Sequence, residues 1–176
     1  MTRVGEHHRK TRFAALCVRG AVSLLVAALA GTATAGPLEE AKEAYAHADC
    51  AAALRLFQPL ADSGVAGAQA FLGAIYESGR GAPQDYAEAA RWFRKAADQG
   101  LPGAQYALGI MYAKGRGVPQ DYVEAHKWFS LAASRYAEAN AEDRNGALQD
   151  RELVESTMTP SQIAEAQKLA RDWKPQ

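Results

Sequence analysis

The sequence predicts an all-α fold, a short stack of antiparallel helix pairs. Three observations carry this expectation: a segment that recurs every 36 residues, apolar side chains at helical spacing inside each copy, and glycine and aspartate standing where helices end and begin. Aligning 65–100 with 101–136 gives 19 identities in 36 positions, and a period of that length marks a repeat architecture. A degraded earlier copy is also visible. Cys50, Ala53, Leu56, Phe57, Ala61, Asp62 and Gly64 each stand 36 residues before Tyr86, Ala89, Trp92, Phe93, Ala97, Asp98 and Gly100.

Residues 1–35 have the layout of a signal peptide. Arg3, Arg9, Lys10, Arg12 and Arg19 face only Glu6, the apolar run "AVSLLVAALA" follows at 21–30, and Ala33–Ala35 forms an A-x-A site, so cleavage between Ala35 and Gly36 is expected. The competing reading is an uncleaved inner-membrane anchor. A membrane-spanning helix needs about 20 apolar residues, and Arg19 and Pro37 leave this stretch short. Removing five basic residues and one acidic residue from twenty of each leaves the mature chain at −4. A mildly acidic chain argues against nucleic acid or an anionic membrane as partner. Cys17 departs with the signal and Cys50 remains as the one cysteine of 36–176, so the core must come from packing and Cys50 is expected to serve as a small buried apolar side chain.

After the degraded first repeat at 36–64, the units at 65–100 and 101–136 each divide into two helices. In the first helix Ala68, Leu72, Ile75 and Tyr76 follow the i, i+4, i+7, i+8 spacing of one face, repeated by Ala104, Leu108, Met111 and Tyr112. Gly79 and Gly115 stand where a helix ends in a left-handed residue. The second helices open at Asp49, Asp85 and Asp121, and Asp85-x-x-Glu88 and Asp121-x-x-Glu124 have capping-box spacing. Tyr86, Ala89, Trp92, Phe93, Ala96 and Ala97 form a broad apolar stripe. Gly73 and Gly109 interrupt helices at about 1 kcal/mol each, which predicts close contact with the bulky Trp side. The loops "GRGAPQDY" (79–86) and "GRGVPQDY" (115–122) resemble phosphate-binding loops only superficially. A phosphate loop follows a strand and continues into Lys-Ser/Thr, whereas here a helix precedes and Pro83 or Pro119 leads into the Asp cap. The loop is a joint.

The spacing Ala68-x3-Leu72-Gly73-x2-Tyr76-x2-Gly79-x-Gly81-x3-Asp85-x3-Ala89-x2-Trp92-x3-Ala96-Ala97, matched again over 104–133, closely resembles the Sel1-like repeat, a relative of the tetratricopeptide repeat. The resemblance covers most of 38–136. It implies a right-handed α-solenoid that acts as a protein–protein scaffold and is often exported in bacteria. Leu56 takes the Trp position of the first unit and Tyr136 replaces the closing glycine of the third, so the helix of that unit is expected to run on. Some exported, cysteine-rich members clip each helix pair with a disulfide and are linked to penicillin binding or β-lactam hydrolysis; Cys50 has no second cysteine for such a clip.

Residues 137–158 are polar, with a net charge of −4 over 138–155, and Asn145-Gly146 signals a turn; an acidic linker or helix extension is expected there. At 159–174 Thr159 as cap, Pro160 at the first helical position and Gln162 predict a helix. Its face of Ile163, Ala166, Ala170 and Trp173 would cover the last core layer of a repeat array.

No catalytic constellation emerges. His47 and His126 are the mature histidines, no Cys/His pair has ligand spacing, and no metal or cofactor is expected; His126 is expected on an exposed helix face. Ser63, Ser78, Ser130 and Ser134 have no evident base. The sequence therefore favours a non-enzymatic exported module binding a protein or peptide, periplasmic or secreted, over the alternative of a cell-wall or β-lactam-related hydrolase. Positions that differ between units are free to specialise. On the first helices these are Ala70, Ala74, Glu77 and Ser78, then Tyr106, Ile110, Ala113 and Lys114. Since first helices line the concave side in this repeat class, Glu77, Tyr106, Ile110 and Lys114 are candidate partner contacts. Packing of Tyr106 and Ile110 against a neighbouring unit is the competing reading.

Overall fold

The computed structural model of the chain describes residues 36–137 and 140–176, so the expected signal and its cleavage site at Ala35 lie outside or at the edge of the described residues. Eight helices follow in order: α1 Pro37–Ala46, α2 Cys50–Asp62, α3 Ala66–Ser78, α4 Tyr86–Asp98, α5 Pro102–Lys114, α6 Tyr122–Arg135, α7 Ala141–Glu155 and α8 Pro160–Asp172. Each helix packs on the next through α7, and α8 returns to lie against α6. The architecture is an all-α solenoid of helix pairs α1–α2, α3–α4 and α5–α6.

Caps fix the start of each second helix. Asp49 accepts a hydrogen bond from Ala52 N at 2.9 Å. Asp85 accepts from the amides of Ala87 and Glu88 at 2.9 and 3.0 Å, and Asp121 from those of Val123 and Glu124 at the same distances. Orphan amides of a first turn are thereby satisfied. The reciprocal half of the expected capping box is used elsewhere: Glu88 pairs with Arg91 at 2.7 Å, and Glu124 accepts from Trp128 Nε1 at 2.8 Å and from Lys127. Among the described residues the full box forms only where Thr159 and Gln162 exchange bonds at the head of α8.

The joints are built alike. Gly79 and Gly115 end α3 and α5 in the left-handed region. Gln84 Nε2 and Gln120 Nε2 then donate to the carbonyls of Glu77 and Ala113, each at 2.8 Å, satisfying late carbonyls of the helix just ended. The second glycine of each loop contacts the preceding unit. A Cβ on Gly81 would lie 2.5 Å from the Cys50 carbonyl oxygen, and one on Gly117 would lie 2.0 Å from that of Tyr86. Cys50 and Tyr86 are themselves one period apart, so both loops press on the same point of the previous second helix.

Between units, Gln69 Nε2 donates to the Ala61 carbonyl and Gln105 Nε2 to that of Ala97, each at 3.1 Å. The core is continuous across these seams. Ala53, Phe57, Leu72, Ile75 and Trp92 pack in one layer, and Phe93, Leu108, Met111 and Trp128 in the next. Each tryptophan therefore packs backward onto the earlier unit. Leu56, in the tryptophan slot of the first pair, lines an open cleft of about 590 Å³ between α1 and α2.

Three local expectations are corrected. Gly73 and Gly109 do admit close contact, but with Phe93 and Phe129 of the partner helix: a Cβ at either position would sit 2.7 Å from a ring carbon. The third second-helix does not run on. It ends at Arg135 and Tyr136 turns to an extended conformation, packing with Ala132, Ala133 and Ala147. Within 137–158, expected as a linker or extension, Ala141–Glu155 forms a separate helix, α7, that runs straight through Asn145-Gly146. Burial of Ala147 and Val154, two turns apart on one face, outweighs the cost of about 1 kcal/mol of a helical glycine, and Glu142 and Asp143 in the first turn complement the helix dipole.

Candidate functional site

The positions that vary between units run along the seams. Ala70 and Ala74 of α3 pack against the core of α4, α5 and α6. Their counterparts Tyr106 and Ile110 of α5 meet Phe129 and Val154, with Met158 alongside. The Tyr106 ring lies 5.7 Å from that of Phe129, and its hydroxyl donates to Asp150 of α7 at 2.6 Å. The structure thus places Tyr106 and Ile110 beneath the chain's own α7, in the position a further first helix would take. An apolar pair at this point of α5 is what allows α7 to dock.

Glu77 and Lys114 lie at the other end of the ridge. Lys114 is exposed and Glu77 half-buried. Burial raises the Glu77 carboxyl above the usual carboxylate range, opposed by the positive charges of Arg116 and Lys114. Arg116 in turn lies over the Tyr86 ring, 5.6 Å from its centre. The joint before α6 therefore presents two cations and a desolvated acid that bridge two units.

The seam of α6 and α7 holds a cluster of polar side chains, and sequence reasoning missed it. His126, expected on an exposed face, is 1% exposed, because α7 covers it. Its Nε2 meets Glu155 Oε1 at 2.5 Å, so Nε2–H donates to the carboxylate. Nδ1 faces Ser130 Oγ at 3.5 Å, one turn along the same helix. Serine, histidine and glutamate in a row suggest a hydrolytic relay by residue type alone. The serine contact is long for a hydrogen bond, and the buried imidazole holds Glu155 of the neighbouring helix, so the arrangement clamps α6 to α7. The sequence signal available was a departure from the repeat: His126 stands in the slot of Ala90, at the one unit whose next neighbour is α7.

Beside this clamp Ser130, Ala133, Ser134, Tyr136, Arg144, Leu148 and Arg151 line a cleft of about 310 Å³. Arg94 reaches Tyr112 with its guanidinium and lies 5.2 Å from the centre of the Trp128 ring. Trp173 lies edge-on to Trp128 at 6.3 Å and beneath Arg135 at 4.4 Å, closing the array at its C-terminal end. Among the described residues no cluster of three or more His, Cys, Asp or Glu side chains could hold a metal ion, and no helix is long and apolar enough to cross a membrane.

Comparison with known proteins agrees with this geometry. Residues 66–101 and 102–135 each match the Sel1 repeat family. Among curated proteins none matches. Among solved structures the chain is similar to c5321, described as a protective antigen present in uropathogenic Escherichia coli strains displaying an SLR fold. The TM-score is 0.68 and the identity 31%, over 78% of this chain and 29% of that one. A Sel1 repeat protein from Oxalobacter formigenes aligns with a TM-score of 0.59 and 28% identity, over 81% of this chain and 56% of that one. The chain therefore spans less than a third of the first of these proteins and little more than half of the second. The two matched segments coincide with the helix pairs α3–α4 and α5–α6, and this chain carries two Sel1 repeats.

Proposed function

We propose that this chain is an exported interaction module that holds a protein or peptide partner and performs no chemistry of its own. Sel1 repeats are typically protein-interaction modules. The observation that carries the reading is the use made of the strong sequence signals: the repeated aspartates cap, the repeated glycines join, the repeated aromatics fill the core, and the one histidine-centred cluster is sealed inside a helix seam. Exposed variation is what remains for recognition. Of the four candidate contacts Lys114, with Glu77 and Arg116 around it, is the exposed one, while Tyr106 and Ile110 act through their hold on α7. Export is supported by the charge and apolar layout of 1–35, and a cut before Gly36 would leave α1, which opens at Pro37, whole.

The test is crosslinking in the native envelope with the unmodified chain and with the charge swap Glu77→Lys/Lys114→Glu. The reading expects a specific crosslinked product whose yield falls at least fivefold in the swap while helicity is retained. An unchanged product would remove these residues from the interface, and a mature mass retaining Met1 in the membrane fraction would replace export by anchoring.

A further inference from the structure

We infer that the cleft between α6 and α7 is a binding site for a carboxylate group. Three donors point to it. Arg144 and Arg151 lie seven residues apart on α7, hence on one face, and both line the cleft. Arg151 Nε is buried and has no hydrogen-bond partner. Buried donors are rarely left in that state, and a charged one least of all. Its nearest acid, Glu155, lies 3.6 Å away, beyond a good hydrogen bond, and already holds His126 at 2.5 Å. The third donor is Tyr136. Burial, with Asp143 nearby, pushes its hydroxyl up to about 12, so it keeps its proton and can donate at any physiological pH. The hydroxyls of Ser130 and Ser134 complete a polar wall.

The charges select the kind of anion. Glu155 lies 3.6 Å from Arg151 and Asp143 acts on Tyr136, so two acids near the cleft offset the formal charge of its two guanidinium groups. A monoanion with two coplanar oxygens suits that balance and the fork of an arginine; a dianionic phosphate would meet the two acids at greater cost. A cleft of about 310 Å³ takes a carboxylate with a short stem, supplied by a free small acid or by an acidic side chain or C-terminus of a peptide.

The experiment follows the arginine Nε–Hε signals of the full mature chain by NMR during titration with acetate, with sodium chloride at equal ionic strength as reference. A site gives saturating shifts at Arg144 and Arg151, none at the exposed Arg171 of α8, and at least tenfold weaker binding in Arg144→Gln, whose side chain is exposed and whose loss leaves the core intact. Arg151→Lys, which keeps the charge and loses the fork, should weaken binding similarly. Titration with acetyl-Ala-Ala peptide as free acid and as amide separates the sources: tighter binding of the acid than of acetate assigns a peptide terminus, and equal binding assigns a free small acid. Linear shifts shared by Arg171, equal saturation in Arg144→Gln, or tighter binding of phosphate than of acetate would each overturn the inference.

Discussion

Gly109→Ala isolates the close approach on which each helix pair depends. In the open middle of a helix the change gains up to about 1 kcal/mol of propensity. Here the added methyl would sit 2.7 Å from both Cδ1 and Cε1 of Phe129, where carbon pairs prefer about 3.5–4.0 Å. The ring cannot swing aside, because Phe129 is 1% exposed and Tyr106 lies against it. Overpacking of this kind costs about 1–3 kcal/mol, so a net loss of about 1–2 kcal/mol is expected, or a fall in Tm of roughly 3–8 °C for a chain of this size. Gly103→Ala in the same helix is the reference, since nothing lies within 4 Å of its Cβ position. It should leave Tm unchanged or raise it. Thermal unfolding of both variants, with Phe129→Leu added to each, measures the coupling, and only the Gly109 pair should be non-additive by more than about 0.5 kcal/mol. If Gly109→Ala stabilises as much as Gly103→Ala, the helices of a unit are not in contact through this glycine.

Asp85→Ala and Asp121→Ala should each cost roughly 0.5–2 kcal/mol in denaturant titrations, the usual loss for an N-cap. Trp173→Ala should cost about 2 kcal/mol, less than the roughly 3–5 kcal/mol of a fully buried tryptophan, because the ring is only half-buried against Trp128 and Arg135. Glu77→Gln tests the buried acid. Its folded pKa is raised, so between the unfolded and the folded value the native state binds more protons and stability falls as pH rises. The variant should therefore melt higher than the unmodified chain at pH 7, with the difference shrinking as pH is lowered toward the ordinary carboxylate value near 4.5; a difference that grows on acidification would contradict the burial.

What could be read from the sequence was whatever the chain says twice. The aspartate caps, the left-handed glycines and the apolar faces recur at 36-residue spacing, so each copy checks the other, and local chemistry suffices to interpret them. Gln69 and Gln105, and Gln84 and Gln120, also recur, yet their partners are backbone carbonyls in other helices and no side-chain pattern announces them. Gly73 and Gly109 were legible as contact points, but the choice between Trp and Phe as their neighbour is a matter of helix rotation. Features stated once were hardest. Asn145-Gly146 is a turn signal that the burial of Ala147 and Val154 overrides, and once α7 was not foreseen, His126 had nothing to cover it. Tyr106 and Ile110 stood out as apolar residues on a face that otherwise needs none, and the structure packs them beneath α7, the competing reading to a partner contact.

The central claim is that α7 closes the third unit from within, so that the histidine seam is structure and recognition lies on the open surface. The imidazole of His126 tests this most directly. Long-range nitrogen–proton NMR of the mature chain should show a single tautomer with a slowly exchanging Nε2 proton and through-space contact to Glu155, both lost in Glu155→Ala, while the exposed His47 shows neither. A His126 ring averaged with solvent in the manner of His47 would mean that α7 is undocked, and would return Tyr106 and Ile110 to the open face.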